Sequence, residues 1–334
     1  MTNNLQISSM AISIIIPYYN REKFLQRTLD SVAEQTLRPN ELILVDNGST
    51  DNSFEICKSF AKKYNDSHFN IKLIRELRKG ACAARNTGAD HATHNYIYFF
   101  DSDDIMSPNF CEEINNYISN ETKYDLIAFR TNIVLPNGKK YKRKSYFTTS
   151  VEDQIILSTL STQSCIFKKS FFERIGKWDE SLPCWNDWEL GIRIMLSIPN
   201  ILWIKDTTYH SIISHPESIT GICFSKRYEQ ITKAINQAEV DVRNNTTALK
   251  AITGLRLITA GNFYREGSKE LSKQMLLSAF KSQHKIPFQK LFSIYCQKIG
   301  IGAWWIYKHI LTKFSETLYA RLHTFTRSHR IFNS

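Results

Sequence analysis

Runs of β-branched and aromatic residues recur along the first hundred positions, and each is followed by apolar side chains at every third or fourth residue. Residues 11–17 (AISIIIP), 42–45, 71–74 and 96–100 have the composition of buried strands. Between them Phe24, Leu25, Leu29, Val32 and Ala33 fall at helical spacing, as do Phe54, Ile56, Cys57 and Phe60, and 80–92 is an alanine-rich helix. Such alternation predicts a parallel sheet with right-handed crossovers. After Pro108 the pattern changes. Residues 125–132 alternate, Pro136-Asn137-Gly138 predicts a hairpin into a basic strand over 139–147, and short strands are predicted at 164–167 and 201–204. Helices are predicted over 151–160, 170–175 and 187–198, then over 226–242, 248–265 and 268–282, where strand signals have faded. The fold class is α/β: a mixed sheet flanked by helices, with a C-terminal helical extension. Its parts are 11–105, 106–220 and 221–334.

Chemistry-bearing residues gather where these strands end. Asp101, Asp103 and Asp104 follow the aromatic strand directly, at the sheet edge where open α/β folds bind ligands. Crowded carboxylates repel unless a cation or a set of donors neutralises them, although the same residues suit a solvated turn that caps a helix. Pro17-Tyr18-Tyr19-Asn20 ends the first strand, and Tyr18 there suits either a planar base or an ordinary turn. Asp46-Asn47 ends the second and suits either a base N–H and ribose hydroxyl or an Asx-turn. Lys79, Gly80, Arg85, Asn86 and Gly88 surround a helix start that can hold phosphate or simply pack. Asp187 opens a helix between Trp185 and Trp188, as a cap or as a general base beside apolar walls. His215 is a ligand for diphosphate or metal, or a structural histidine.

Composition narrows the partners. The formal net charge of +11 favours anionic ones. Much of that charge lies in the last fifty residues, where Lys285, Lys290, Lys298, Lys308, Lys313, Arg321, Arg327 and Arg330 face one acid, Glu316, with aromatics interleaved. That segment suits an anionic membrane face, or a helical cap with a solvated basic side. Seven scattered cysteines without a C-x-x-C pair argue against a zinc site or disulfide framework and suit a reducing compartment. No signal sequence or spanning stretch is legible, so the expected location is cytoplasmic, peripheral on the inner face of the membrane.

Five motifs in order give the chain a resemblance to family 2 glycosyltransferases. They are Ile14–Asn20 (IIIPYYN), Leu44–Asp51 (LVDNGSTD), Gly80 with Ala84-Arg85-Asn86 and Gly88, Phe100–Asp104 (FDSDD), and Gly176–Leu182 (GKWDESL) with Asn186–Leu190 (NDWEL). The resemblance spans roughly two thirds of the chain, from about Ile12 to Thr220. It implies a GT-A fold and inverting transfer from a nucleotide-diphosphate sugar to a glycan or lipid-linked glycan in surface polysaccharide biosynthesis. By the same resemblance Asp103 holds Mg2+ or Mn2+ on the diphosphate, Asp101 touches ribose or the metal shell, Asp187 is the base and His215 closes over the diphosphate. The implied nucleotide-sugar set is Pro17, Tyr18, Asn20, Asp46, Asn47, Lys79, Gly80, Arg85, Asp101 and Ser102.

Two positions depart from the common pattern. Asn47 stands where a second aspartate reads the uracil edge, and Asn186 where a glutamate precedes the base. A degenerate, inactive transferase draws support only from these. A sugar-phosphate nucleotidylyltransferase would need a glycine-rich basic loop after the first strand, where Pro17-Tyr18-Tyr19-Asn20 stands. A nucleic-acid-binding protein leaves the acids at 101–104 unexplained, so no nucleic acid is expected.

Overall fold

The computed structural model describes residues 12–120, 123–135, 137–142, 147–213 and 223–281. His215 and the basic segment from Lys285 lie outside the described residues. The chain divides into two compact units: one takes Leu160–Leu190, Ser197–Ser218 and everything up to Phe147, the other Thr148–Thr159, Gly191–Leu196 and the chain from Ile219 onward.

In the first unit the predicted alternation is present. Strand β1 (Ile12–Tyr18) leads to helix α1 (Leu25–Ala33), β2 (Glu41–Asp46) to α2 (Ser53–Tyr64), β3 (Asn70–Arg75) to α3 (Ala81–His91), and then comes β4 (Tyr96–Phe99). These four strands are parallel, in the order β3-β2-β1-β4. Helix α4 (Phe110–Asn120) precedes β5 (Leu126–Val134) and the short β6 (Lys140–Lys142). Helix α5 (Val151–Leu157) belongs to the second unit, and β7 (Cys165–Lys168) then inserts antiparallel between β4 and β5. After α6 (Lys169–Arg174) and α7 (Asn186–Leu196), β8 (Ile201–Ile213) runs parallel to β5 on its other edge. Parity along β1 assigns the layers. Ile12, Ile14, Ile16 and Tyr18 share the main core with Leu25, Leu29, Cys57, Phe60 and Phe110. Ile15 faces the opposite side, against α3, where a Cβ on Gly88 would come within 2.4 Å of its Cγ2. Gly88 therefore serves close helix–strand packing. Pro17 lies past the last β1–β4 pair, Ile15–Phe99, so its missing N–H costs no ladder bond there.

One strand is longer than predicted. The expected element at 201–204 continues to Ile213 through two irregularities, after Phe129 and after Thr131 of β5. Lys205, Asp206 and Thr207 fall in the first, which hides the alternation from a sequence reading. His210 is the extra residue of the second, with φ 61°.

In the second unit α8 (Tyr228–Asp241), α9 (Thr246–Arg265) and α10 (Lys269–Lys281) follow in sequence, and α9 packs against α5, α8 and α10. Asn245 caps α9 by accepting from the Ala248 N–H. The buried Arg256 is paired with Glu239 at 2.9 Å and with Asn236 at 2.7 Å, which makes a buried charge tolerable. Among the described residues no helix is long and apolar enough to cross a membrane.

Candidate active site

The turns that leave β1 and β2 are bonded to each other. Asn20, at φ 49°, accepts from the Thr50 N–H at 2.8 Å, and its own N–H donates to Ser49 Oγ at 3.1 Å. The Arg21 N–H reaches Ser53 Oγ at 2.7 Å. Asp46, 1% exposed, accepts from the Ser49 N–H at 2.9 Å and lies 3.4 Å from Arg75 Nε. Asp46 thus closes its own turn. Tyr18 requires a correction: at 2% exposure its ring is in the core beside Cys57, because it shares the face of Ile12, Ile14 and Ile16. Burial pushes its hydroxyl pKa far up, and the ring cannot lie against a base. The aromatic that this turn offers to solvent is Tyr19, 54% exposed.

Asn47 faces the loop between β3 and α3. Its Nδ2 donates to the Glu76 and Arg78 carbonyls at 3.1 and 2.7 Å, and its Oδ1 accepts from the Gly80 N–H at 2.8 Å. Glu76 braces the same loop, accepting from the Arg78 N–H at 2.7 Å and from Arg78 Nη2 at 2.7 Å. The Arg78 guanidinium holds the Glu76 carboxyl at about 2, against the opposing effect of burial. Lys79 is exposed, and Gly80 takes φ 120° at the start of α3. That backbone geometry disfavours any residue with a Cβ.

The acidic turn after β4 is assembled from distant segments. Asp101 accepts from Arg85 Nη2 at 2.9 Å and from Gln163 Nε2 at 2.9 Å. Arg85, expected to meet phosphate or base, is instead buried, paired with Asp101 and stacked over Trp178 with 4.8 Å to the ring centre. Trp178 is held on α3 by Asn86, which donates to its carbonyl at 2.9 Å and accepts from its N–H at 3.1 Å. Ser102 is buried, and its carbonyl accepts from Thr28 Oγ1 at 3.0 Å. Asp103 lies 3.6 Å from Arg21 Nε, while its carbonyl accepts from Arg27 Nη2 at 2.6 Å. Asp104, 2% exposed, bonds Gln163 Nε2 and accepts from the Ile213 N–H at 2.6 Å. Burial first, and the Asp101 and Asp103 carboxylates next, push its pKa well up. Asp104 is therefore an anchor for the end of β8, more than a helix-starting acid. His210 supports the same junction. Its N–H donates to Ser107 Oγ at 2.7 Å, its Nδ1 accepts from the Ser107 N–H at 3.2 Å, and burial lowers its pKa to about 3.

Asp187 lies in the first turn of α7, with Oδ1 accepting from the Trp188 N–H at 2.9 Å. Trp185, at φ 56°, and Trp188 meet edge to face at 5.3 Å. The Asp187 carboxylate is close enough to Arg85 to raise the guanidinium's pKa, and Asp101 acts on Arg85 more strongly. Asp101 and Asp103 offer hard oxygens, and Arg21 already places a cation at Asp103. Among the described residues no group of three or more His, Cys, Asp or Glu forms a cage. This donor set suits Mg2+ or Mn2+ carried by one or two carboxylates together with substrate phosphates. Sequence reasoning missed Gln163, Thr28, Arg21 and His210. Only Thr28 left a trace, since with Ser31 on α1 and Gln35 just past its end it forms a polar series at three- and four-residue spacing, and each of these binds the backbone of 102–111.

A mixed sheet whose strand ends collect a turn-bonded aromatic, a clamped loop and an acidic turn has the design of the GT-A glycosyltransferases, and comparison with known proteins agrees. Residues 13–176 match the model of glycosyl transferase family 2, and the chain belongs to that family. It is 30% identical over 217 residues to the glycosyltransferase GlyA of Streptococcus pneumoniae, covering 59% of this chain and 30% of that one. It is 30% identical over 185 residues to the minor teichoic acid biosynthesis protein GgaA of Bacillus subtilis, covering 52% and 41%. The chain thus spans less than half the length of either relative. Residues 1–349 of S. aureus TarS in complex with UDP-GlcNAc superpose with a TM-score of 0.60 at 18% identity, covering 96% and 91% of the two chains. A mannosyltransferase of Pyrobaculum calidifontis in complex with GDP-Man and Mn2+ gives 0.54 at 16% identity, covering 93% and 84%.

Proposed function

We propose that the protein is an inverting glycosyltransferase that moves a sugar from a nucleotide-diphosphate donor to a glycan or lipid-linked glycan, for a polymer of the cell surface. The observation that carries this reading is the acidic turn after β4, where Asp101 is paired with Arg85 at 2.9 Å and Asp103 lies 3.6 Å from Arg21 Nε, with Asp187 opening α7 beside Trp185 and Trp188. A carboxylate beside a partly apolar wall is placed to take a proton from an acceptor hydroxyl. The acidic turn is placed to receive a diphosphate together with its cation. Asp103 and Asp101 would hold Mg2+ or Mn2+, which screens charge growing on the leaving diphosphate. The exposed ring of Tyr19 stacks the base, and the N-terminal end of α3 with Lys79 faces phosphate. The names of GgaA and of the UDP-GlcNAc-bound TarS support a surface polymer and a nucleotide sugar. The basic, aromatic run from Lys285 supports work at the inner face of a membrane.

The test is a panel of UDP-, GDP- and dTDP-sugars scored for Mn2+-dependent hydrolysis and transfer, with Asp187→Asn beside the wild type. Asp187→Asn is expected to lose roughly 10²–10⁴-fold in transfer. Full activity in that variant refutes the base assignment, and no turnover of any donor refutes the function. Sedimentation with anionic vesicles of the full chain against one ending at Ser282 tests the membrane arm; equal partitioning refutes it.

A further inference from the structure

The amide of Asn47 is engaged on three sides by one short loop. Both of its N–H groups point at main-chain carbonyls, those of Glu76 and Arg78, and its oxygen receives the Gly80 N–H. All three partners are backbone, so the contact constrains the course of the loop whatever side chains it carries. A second tether acts on the same segment through Glu76 and Arg78, and Arg78 Nη1 continues to Glu180 at 2.7 Å. Held in this way, the loop exposes Leu77 and Lys79 and delivers Gly80 to the start of α3.

An aspartate at this position would bring no N–H and would set a carboxylate against two carbonyl oxygens. The aspartate of the common family pattern and this asparagine are therefore not equivalent in this loop. We infer that Asn47 is a positioning residue that clamps the 76–80 loop, and that the base is recognised by stacking on Tyr19 and by the loop surface, without a side-chain reading of the base edge at Asn47. The inference rests on the nucleotide-sugar reading above. Uracil presents an N–H at the edge position where cytosine presents an acceptor, so UDP and CDP separate the two modes. A site built to bond that edge rejects the wrong pattern by orders of magnitude, whereas stacking tolerates both.

The experiment uses the full chain, Asn47→Ala and Asn47→Asp. It combines calorimetric titration of UDP and CDP with Mn2+ and amide hydrogen exchange of peptides over 76–81 without nucleotide. In the wild type the two Kd values should lie within about fivefold. Asn47→Ala should weaken both by one common factor and speed exchange over 76–81 by roughly tenfold, the effect of losing bonds to two carbonyls and an amide. In Asn47→Asp the excess exchange should shrink at about pH 3.5 relative to pH 8, because a carboxyl protonated below its ordinary pKa of about 3.9 again donates one bond; Asn47→Ala should show no such recovery. A hundredfold preference for UDP that Asn47→Ala abolishes overturns the inference, as does unchanged exchange over 76–81 in both variants. If wild type binds neither nucleotide, the donor reading and the base-recognition half fall together, and the exchange arm still decides the clamp.

Discussion

Asp46 closes strand β2, and Asp101 follows strand β4 by two residues, at the same edge of the sheet. Around Asp46 and Asn47 most partners are main-chain groups of adjoining turns: the Ser49 N–H, the Glu76 and Arg78 carbonyls, the Gly80 N–H. Around Asp101–Asp104 the partners arrive from α3, from the turn at Gln163, from Arg21 and α1, and from the end of β8. Local bonding absorbs the first acid into scaffold. The second group is held from several directions, with Arg85 paired to Asp101 and Arg21 beside Asp103. An acid after a strand thus has no fixed meaning; what differs is whether its partners are mostly main-chain groups or side chains brought from several elements.

The largest expected effect tests that contrast directly. Asp103→Ala should cut transfer by about 10²–10³-fold with little change in melting temperature, since Asp103 Oδ2 bears on Arg21 at a partly exposed position. Asp46→Ala should do the reverse, costing about 1–2 kcal/mol of stability through the lost bond to Ser49. Melting curves beside single-turnover rates separate the two, and equal effects on both quantities would erase the distinction.

A smaller effect tests how the second turn is held. Gln163→Leu strips a buried donor from both Asp101 and Asp104 and should cost on the order of 2–3 kcal/mol by denaturant titration. A loss below about 0.5 kcal/mol would show that Gln163 is incidental.

The smallest effect is one of sign. Glu76, held at about 2 by Arg78, stabilises fully above the ordinary carboxyl value, and that contribution fades as pH falls toward 2. Asp104, raised by burial, acts oppositely: its contribution is complete below about 3.8 and is lost as pH rises through its elevated pKa. Subtracting the stability profiles of Glu76→Gln and Asp104→Asn from wild type should give slopes of opposite sign. Slopes of the same sign would mean that Asp104 is ionised in the native state.

The strand–helix alternation was legible because each of the first four strands is a compact apolar run and α1 and α2 each present one apolar face. The motif residues were legible as a set because they stand at strand ends. Tyr18 was misread although its parity with Ile12, Ile14 and Ile16 was already visible. The second half of β8 was illegible, because Lys205, Asp206 and Thr207 interrupt the alternation that marks a half-buried strand. Gln163 was illegible for a different reason: nothing near it in the chain announces that it reaches two aspartates some sixty residues earlier.

The single extra residue at His210 makes the end of β8 a matter of counting. The pairs Thr131–Tyr209 and Asn132–Ser211 stay in step around it, so the bulge adds one residue to β8 while Ser211, Ile212 and Ile213 keep their partners on β5. What the extra residue supplies is a main-chain N–H and an Nδ1, both bonded to Ser107, three residues ahead of the peptide that bonds Asp104. Side chain and backbone are therefore both under constraint at 210, where a buried imidazole at φ 61° is bonded to Ser107 and packed on Phe110.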